Sequence, residues 1–296
     1  MKQIMIVLAL GAAFAACGVA GVDIDADDQP LAATDEIIGG VSYSGLPAIG
    51  ALFVNGAPYC TGTLVGPRKV LTAAHCVRGV TAASMEFRIG PNAFQPRYVV
   101  GVAKLKAHPH FNPTTITNDI AYVTLKTDAP ATPMTLLAGM DTTWVGTPLL
   151  FVGYGVTNGH TQTGVGKKRA VTIPITEVGD TQFRYEAPGK NSCNGDSGGP
   201  ALFRDPTAGY LIAGVTSYGD VGCTVYGVDT RVDAYVSFVG AAAAGPSDPC
   251  RGETFGGRCK NGTLIWCENH EVMTLDCNAD GATCGWDPSG GYYNCF

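Results

Sequence analysis

Between residues 49 and 232 the chain is a succession of short β-branched, aromatic and aliphatic runs, each cut off by glycine, proline or asparagine. The runs are Ile49 to Val54, Val70 to Thr72, Phe87 to Ile89, Tyr98 to Ala103, Ile120 to Leu125, Leu149 to Tyr154, Ala170 to Ile173 and Tyr210 to Thr216. Runs this short, rich in residues that suit extended backbone and bounded by turn formers, predict strands. Some alternate apolar with polar residues and others do not, as when sheets close into barrels. The expectation is an all-β fold. A composition of 46% hydrophobic and 15% charged residues with 40 glycines fits a loop-rich globular β protein and excludes disorder over most of the length. One stretch departs from the strand pattern: Asp233 is placed to cap a C-terminal helix with Tyr235, Phe238 and Val239 on its apolar face.

Eleven cysteines, ten of them after residue 59, predict an oxidising compartment and disulfides. They form no paired C-x-x-C knuckles, and the histidines are not spaced to complete a zinc site. Six of them, Cys250, Cys259, Cys267, Cys277, Cys284 and Cys295, fall within residues 250–296. A segment of that size is too small for its own core, so it predicts a small disulfide-rich domain held by three bridges, with about fifteen connectivities open. Its aromatic residues Phe255, Trp266, Trp286, Tyr292, Tyr293 and Phe296 either fill the inside of this knot, the reading that general burial trends favour, or form a face for a glycan or protein ligand. The net charge of −6 provides no basic field for nucleic acid. The longest basic run, Lys167-Lys168-Arg169, reads as the solvated start of a strand.

Residues 1–17 carry one lysine followed by an apolar run from Ile4 to Ala16, too short to span a bilayer stably and typical of an export signal. Phe14-Ala15-Ala16-Cys17 resembles a lipoprotein cleavage box of bacterial type. Lipidation of Cys17 is favoured over ordinary signal removal because it leaves an even ten cysteines to pair, and it is the one route to a membrane that the sequence offers. Residues 18–36, with Asp23, Asp25, Asp27, Asp28, Asp35 and Glu36, predict a solvated, disordered propeptide. The main domain then runs over 37–240, a linker over 241–249 and the six-cysteine domain over 250–296.

Chemistry concentrates in Asn191-Ser192-Cys193-Asn194-Gly195-Asp196-Ser197-Gly198-Gly199-Pro200. A serine between glycines suits a turn whose amides converge while the hydroxyl stays accessible, but a serine hydroxyl needs a base, and the base needs an orienting group. Leu71-Thr72-Ala73-Ala74-His75-Cys76 and Asn118-Asp119-Ile120-Ala121 offer those two. In this order, and together with Ile37-Ile38-Gly39-Gly40, Gly153-Tyr154-Gly155, Ser217-Tyr218-Gly219 and Gly227-Val228-Asp229-Thr230-Arg231-Val232, the chain from Ile37 to about Gly240 resembles the trypsin-like, chymotrypsin-fold serine peptidases.

That resemblance implies two antiparallel Greek-key β-barrels with a cleft between them, His75 and Asp119 coming from the first and Ser197 from the second. It implies a secreted endopeptidase acting on protein or peptide substrates through an acyl-enzyme, with Ser197 as nucleophile, His75 as base and Asp119 as its orienting acid. The Gly195 and Ser197 amides would form the oxyanion hole. Cys60 would pair with Cys76, and Cys193 with Cys223. A zymogen would be cut before Ile37, whose new amine would pair with Asp196. That cut follows Glu36, which calls for a glutamate-preferring or other non-tryptic activating protease, and it would release any lipid anchor at Cys17 from the cell envelope. The resemblance implies no cofactor, and the stretch from Val77 to Val100 holds only Glu86 as an acid, too little for a calcium loop. His108, His110, His160 and His270 read as core or surface residues.

Substrate preference stays open at this level. By the same resemblance Asn191 falls at the base of the specificity pocket, Ser217 lies along it, and Gly219 and Gly227 leave its walls open. An uncharged base favours a bulky neutral side chain. Asp229 stands where the family usually has a tyrosine. Either its carboxylate points inward to receive Lys or Arg with Asn191 as its neighbour, or it is buried against backbone amides or solvent. The alternative from another functional class is a non-catalytic binding protein on a peptidase scaffold, with the C-terminal domain as an adhesion module. Intact His75, Asp119, Ser197 and Gly195 weigh against it.

Overall fold

The computed structural model describes residues 37–244, 256–268, 271–288 and 290–296. The export signal, Cys17, the acidic segment to Glu36, residues 245–249 of the linker, Cys250, Phe255 and His270 lie outside the described residues.

After the short strand β1 (Val41–Ser42), six strands build the first barrel: β2 (Ile49–Val54), β3 (Ala57–Gly66), β4 (Lys69–Thr72), β5 (Met85–Ile89), β6 (Tyr98–Ala107) and β7 (Ala121–Leu125). They pair in the ring order β2-β3-β4-β7-β6-β5, and Ala51–Arg88 and Leu52–Phe87 close β2 onto β5. Following β8 (Thr135–Leu137), a second set of six comprises β9 (Pro148–Gly153), β10 (Arg169–Val178), β11 (Gln182–Tyr185), β12 (Pro200–Asp205), β13 (Gly209–Gly219) and β14 (Gly227–Arg231). Its ring order is β9-β10-β11-β14-β13-β12, with β12 returning to β9 through Ala201–Phe151. Every pair in both rings is antiparallel, and the two rings share one connection order. Closure removes the unpaired strand edges that an open sheet of this kind would expose.

All eight expected runs lie in strands or at their ends, and β3 is the notable addition. Pro58 and two glycines hide it in the sequence. Proline is tolerated there because it lies where the register shifts between Leu52 and Phe53, off the regular ladder. One continuous apolar core joins the barrels, with Leu52, Leu64 and Val123 from the first and Phe151, Ile173 and Leu202 from the second. The buried Tyr154 hydroxyl crosses between them, donating to the carbonyls of Gly90 (2.6 Å) and Ile49 (3.1 Å).

The expected C-terminal helix is short: a 3-10 turn at Asp233–Tyr235 leads into α1 (Val236–Val239), which Gly240 ends in a left-handed conformation. Asp233 does not cap it. Its carboxylate is taken by the Arg231 guanidinium at 2.7 Å and the Met140 amide at 2.9 Å. Tyr235 and Val239 are buried as expected, with Phe238 partly so. β15 (Ala243–Ala244) then adds in parallel to β8, which itself lies parallel to β13.

The basic triplet departs further from expectation. It does start β10, but Lys168 and Arg169 are only 2% and 3% exposed. The Lys168 ammonium donates to the carbonyls of Gly45 (3.1 Å) and Leu46 (3.0 Å), and Arg169 donates to that of Gly164 (2.7 Å). The charges are tolerated because main-chain oxygens solvate them inside the fold.

The C-terminal segment contains the antiparallel sheet β16 (Arg258–Lys260), β17 (Thr263–Glu268) and β18 (Glu271–Asp276), then the hairpin β19 (Cys284–Asp287) and β20 (Tyr292–Cys295). Cys259 is bonded to Cys284 and Cys277 to Cys295, and Cys267 is also in a disulfide. Among its described residues only Leu264 and Cys277 are buried, while Trp286 is 52% and Phe296 64% exposed. Trp266 and Tyr293 are partly buried, whereas Trp286, Tyr292 and Phe296 are exposed, so the described aromatics divide between the inside and the surface of the segment. Hairpins this small cannot wrap such side chains, and sulfur bridges hold the segment in their place.

Candidate active site

The histidine turn follows β4. Ala73 and Ala74 are fully buried, and the chain reverses through bonds from the Cys76 amide to the Ala73 carbonyl (3.2 Å) and from the Val77 amide to the Ala74 carbonyl (3.1 Å). Small residues are needed because this turn is packed on both sides. Asp119 comes from the segment just before β7, where Asn118 takes a left-handed backbone (φ 54°) that asparagine tolerates. Asn118 is held from two directions: its Nδ2 donates to the His110 carbonyl at 3.0 Å and its Oδ1 accepts from the Tyr235 hydroxyl at 2.8 Å.

These two turns meet. The His75 ring nitrogen Nδ1 lies 2.7 Å from Asp119 Oδ2, and the His75 amide donates to Oδ1 at 2.8 Å. The Ser217 hydroxyl, from the second barrel, donates to Oδ2 at 2.6 Å, and Thr230 Oγ1 donates to the Asp119 carbonyl at 3.0 Å. Asp119 is fully buried, and donors surround its carboxylate. A carboxylate so placed accepts a hydrogen bond from Nδ1–H, which keeps the proton on Nδ1 and leaves Nε2 as the accepting nitrogen.

Ser197 is carried on the loop before β12 and is tied to the first barrel. Its carbonyl accepts from the Thr61 amide at 2.9 Å, and Thr61 Oγ1 donates to the Gly195 carbonyl at 2.8 Å. Among the described residues the Gly195 and Ser197 amides have no hydrogen-bond partner, the condition for receiving an oxyanion. Ser197 Oγ and His75 Nε2 are likewise not hydrogen-bonded to each other. Nε2 lies 3.6 Å from Cys76 Sγ. Cys60 is bonded to Cys76 and Cys193 to Cys223. Sulfurs joined in this way are not thiolates, so the Cys60, His75 and Cys76 cluster is no metal site.

Beside Ser197, Asp196 is 2% exposed and accepts from the amides of Gly155 (2.7 Å) and Cys193 (2.9 Å). A Cβ on Gly155 would stand 2.5 Å from that carboxyl, so no other residue fits. Burial pushes the Asp196 pKa up to about 6, against the two amides and the charge of Arg169. Ile37 is buried at 1% exposure, and Ile38 forms a bridge with Asn191, which docks this segment against the serine loop.

A cavity of about 330 Å³ opens next to the serine, with Ser192, Ser197, Ser217, Gly219, Asp220 and Cys223 among its lining residues. Asn191, Gly227 and Asp229 do not line it. In the strand register Tyr185 pairs with Gly227, and Phe183 with Asp229. The Tyr185 ring lies over Gly227, where a Cβ would come within 2.2 Å of it, and the Tyr185 hydroxyl reaches Ser192 Oγ at 2.6 Å. Asp229 is the next residue on that face, fully buried, with neither carboxyl oxygen hydrogen-bonded. Burial raises its pKa well above the usual carboxylate range, and the nearby Tyr185 and Thr216 hydroxyls do not offset this.

Sequence reasoning missed Thr61, Tyr185, Asp220 and Thr230. Asp220 had a signal, since it directly follows Ser217-Tyr218-Gly219. The others act through strand pairing, which a linear pattern does not carry.

Comparison with known proteins agrees with this arrangement. The family model described as Trypsin matches residues 37–239. Serine protease 56 of Mus musculus is 33% identical over 230 residues, 68% of this chain but 37% of that longer protein. Brachyurin of Leptuca pugilator is 28% identical over 225 residues, covering 69% of this chain and 96% of that protein. Trypsin alpha-4 of Lucilia cuprina is 30% identical over 234 residues, covering 70% and 88%. With two closed barrels, a histidine–aspartate pair and a serine loop between them, and a family match over 37–239, the chain belongs to the trypsin family of serine endopeptidases.

Proposed function

We propose that this chain is an exported serine endopeptidase whose Ser197, His75 and Asp119 act as a triad, and that it is activated by cleavage before Ile37. The observation that carries the reading is the buried Asp119 carboxylate, held by Ser217 and set 2.7 Å from His75 Nδ1. Ser197 Oγ attacks the scissile carbonyl while His75 Nε2 takes its proton. The oxyanion is received by the Gly195 and Ser197 amides, and His75 returns the proton to the leaving amine as the acyl-enzyme forms. Water, deprotonated by the same imidazole, then releases the acid product. Ser217 and Gly219 line the pocket for the side chain preceding the cut, while Asn191, Gly227 and Asp229 stay outside its lining, Gly227 covered by the Tyr185 ring. Disulfides in both barrels fit an oxidising compartment outside the cytoplasm.

Activation follows from Asp196. In the uncut chain its carboxylate is buried without an ammonium, and a free Ile37 amine supplies one. Glu36 precedes the cut, so the activating protease is not tryptic. The signal over 1–17, the propeptide over 18–36 and lipidation at Cys17 are part of the same reading. In the C-terminal segment, Trp266, Tyr292 and Tyr293 line a groove with Glu268 and Asn294. Aromatic faces beside planar polar groups suit a glycan, and retention on insoluble polysaccharide that Trp266→Ala abolishes tests that part.

Labelling with a serine-directed fluorophosphonate tests the whole. Wild type reacts, and Ser197→Ala and His75→Ala lose about 10⁴-fold or more in turnover while keeping the wild-type melting temperature. Full activity in Ser197→Ala ends the assignment. The active protein begins at Ile37 by N-terminal sequencing, and any other start removes the activation scheme.

A further inference from the structure

Away from the serine, the first residues of the main domain border a groove with a cationic wall. Lys168 is its hub: its carbonyl accepts from the Tyr43 amide at 3.0 Å, and its own amide donates to the Pro91 carbonyl at 2.8 Å. The 42–44 segment and the 91–92 turn are thereby hung on either side of one residue of β10. Between them lies a cavity of about 240 Å³, with Ser42, Ser44, Pro91, Asn92, Lys167 and Lys168 in its lining. Ser42, Ser44 and Lys167 are exposed along it.

Three cations gather here without an acid. Arg97 is exposed, and it stands close enough to the buried Lys168 for its charge to be felt there. An ammonium has three donors, and on Lys168 the carbonyls of Gly45 and Leu46 take two of them. Burial, then the Arg97 charge, pulls this group down to about 7, the behaviour of an ammonium with no carboxylate beside it. Among the described residues no Asp or Glu forms an ion pair with Lys167, Lys168 or Arg97. A groove of this kind suits a chain that carries several carboxylates.

The protein carries such a chain itself. Residues 18–36 hold Asp23, Asp25, Asp27, Asp28, Asp35 and Glu36 and no Lys or Arg. Residues 1–36 contain six of the 25 acids and one of the 19 basic residues, so without them the net charge of −6 becomes −1. Nearly all of the excess negative charge therefore sits in the segment that leads into the groove-forming strand β1. The segment can reach the groove. Asp28 precedes Ile37 by nine residues and Ser42 follows it by five, and nine extended residues span about 30 Å against at most about 18 Å for five.

We propose that residues 18–36 dock in this groove, Asp23, Asp25, Asp27 and Asp28 answering Lys167, Lys168 and Arg97, and that the segment stays bound after the cut before Ile37. The assignment rests on the activation reading above and gives the severed segment a second role. The cut alone then does not free the body from residues 18–36 or from a lipid on Cys17. Salt or dilution does.

The test uses full-length Glu36→Lys protein, cut by trypsin before Ile37 and cleared of the freed segment in high salt, with a fluorescent peptide of residues 18–36 followed by anisotropy. The peptide binds saturably at about 0.02 M salt, and its affinity falls about tenfold or more by about 0.2 M. Lys167→Gln combined with Arg97→Gln weakens binding about fivefold or more, whereas Lys104→Gln combined with Lys106→Gln, two exposed cations of β6, leaves it within about twofold. A peptide carrying Asp23→Asn, Asp25→Asn, Asp27→Asn and Asp28→Asn does not bind, and this arm decides the matter should the groove variants fail to fold. No binding at low salt, equal loss in the two pairs of variants, or full binding of the amide peptide overturns the proposal. Vesicles containing phosphatidylserine that bind the cut protein when the peptide does not make the groove a lipid site and reject the segment. A protein whose active form begins at Ile37 but ignores the peptide fails only here. One whose active form begins elsewhere fails the activation reading itself.

Discussion

Lys168 shows how far a charged residue can be drawn into this fold. Its ammonium sits under the 45–46 turn with carbonyls for partners and the Tyr154 ring 5.7 Å away. Burial, with added repulsion from Arg97, brings its pKa down to about 7 from 10.5. Between those two values the unfolded chain binds more protons than the folded one, so this residue makes stability rise with pH over that window. Below the folded value the full cost of burying the ammonium is present. Lys168→Met keeps the length of the side chain and removes that term. In urea unfolding the variant is expected to gain most over wild type at about pH 6 and to lose much of that advantage by about pH 9. A difference between the two proteins that is flat over this range rejects the account.

Among the elements, loops carry the chemistry and strands decide where it points. The serine loop and the 217–223 wall are stapled by Cys193–Cys223, whose partners lie 30 residues apart. Opening that staple with Cys193→Ser and Cys223→Ser is expected to cost about 3 kcal/mol in denaturant unfolding, from the freedom returned to the unfolded chain. The cavity wall also loses its anchor, so KM for small peptide amides should rise more than kcat falls. Unchanged stability in the double variant would show that the loop is held by hydrogen bonds alone. The serine, histidine and aspartate loops were legible because each is a local pattern, a turn with the small residues it needs. Tyr185 and Asp220 were not assigned. The place of Tyr185 depends on its pairing with Gly227 across two strands, and that of Asp220 on a loop that folds back onto its carboxylate.

Across the whole molecule, every residue of the proposed triad and the cavity beside it lies within 37–244, and the C-terminal segment is built separately on its own sheets and disulfides. Ending the chain after Ala244 keeps β15 on β8 and is expected to leave kcat/KM on small peptide amides within about twofold, while retention on polysaccharide is lost. A tenfold fall in peptide turnover would show that the barrels lean on the segment. From its residues alone this chain determined an all-β body, a cysteine-rich tail and the turns that carry hydroxyl, imidazole and carboxylate, since turn chemistry and strand period are written locally. That Asp229 is buried away from the cavity, where Tyr185 lies, and that Lys168 is buried were decided only when two barrels closed. Those outcomes depend on register between strands far apart in the chain, where a shift of one residue turns a side chain from cavity to core.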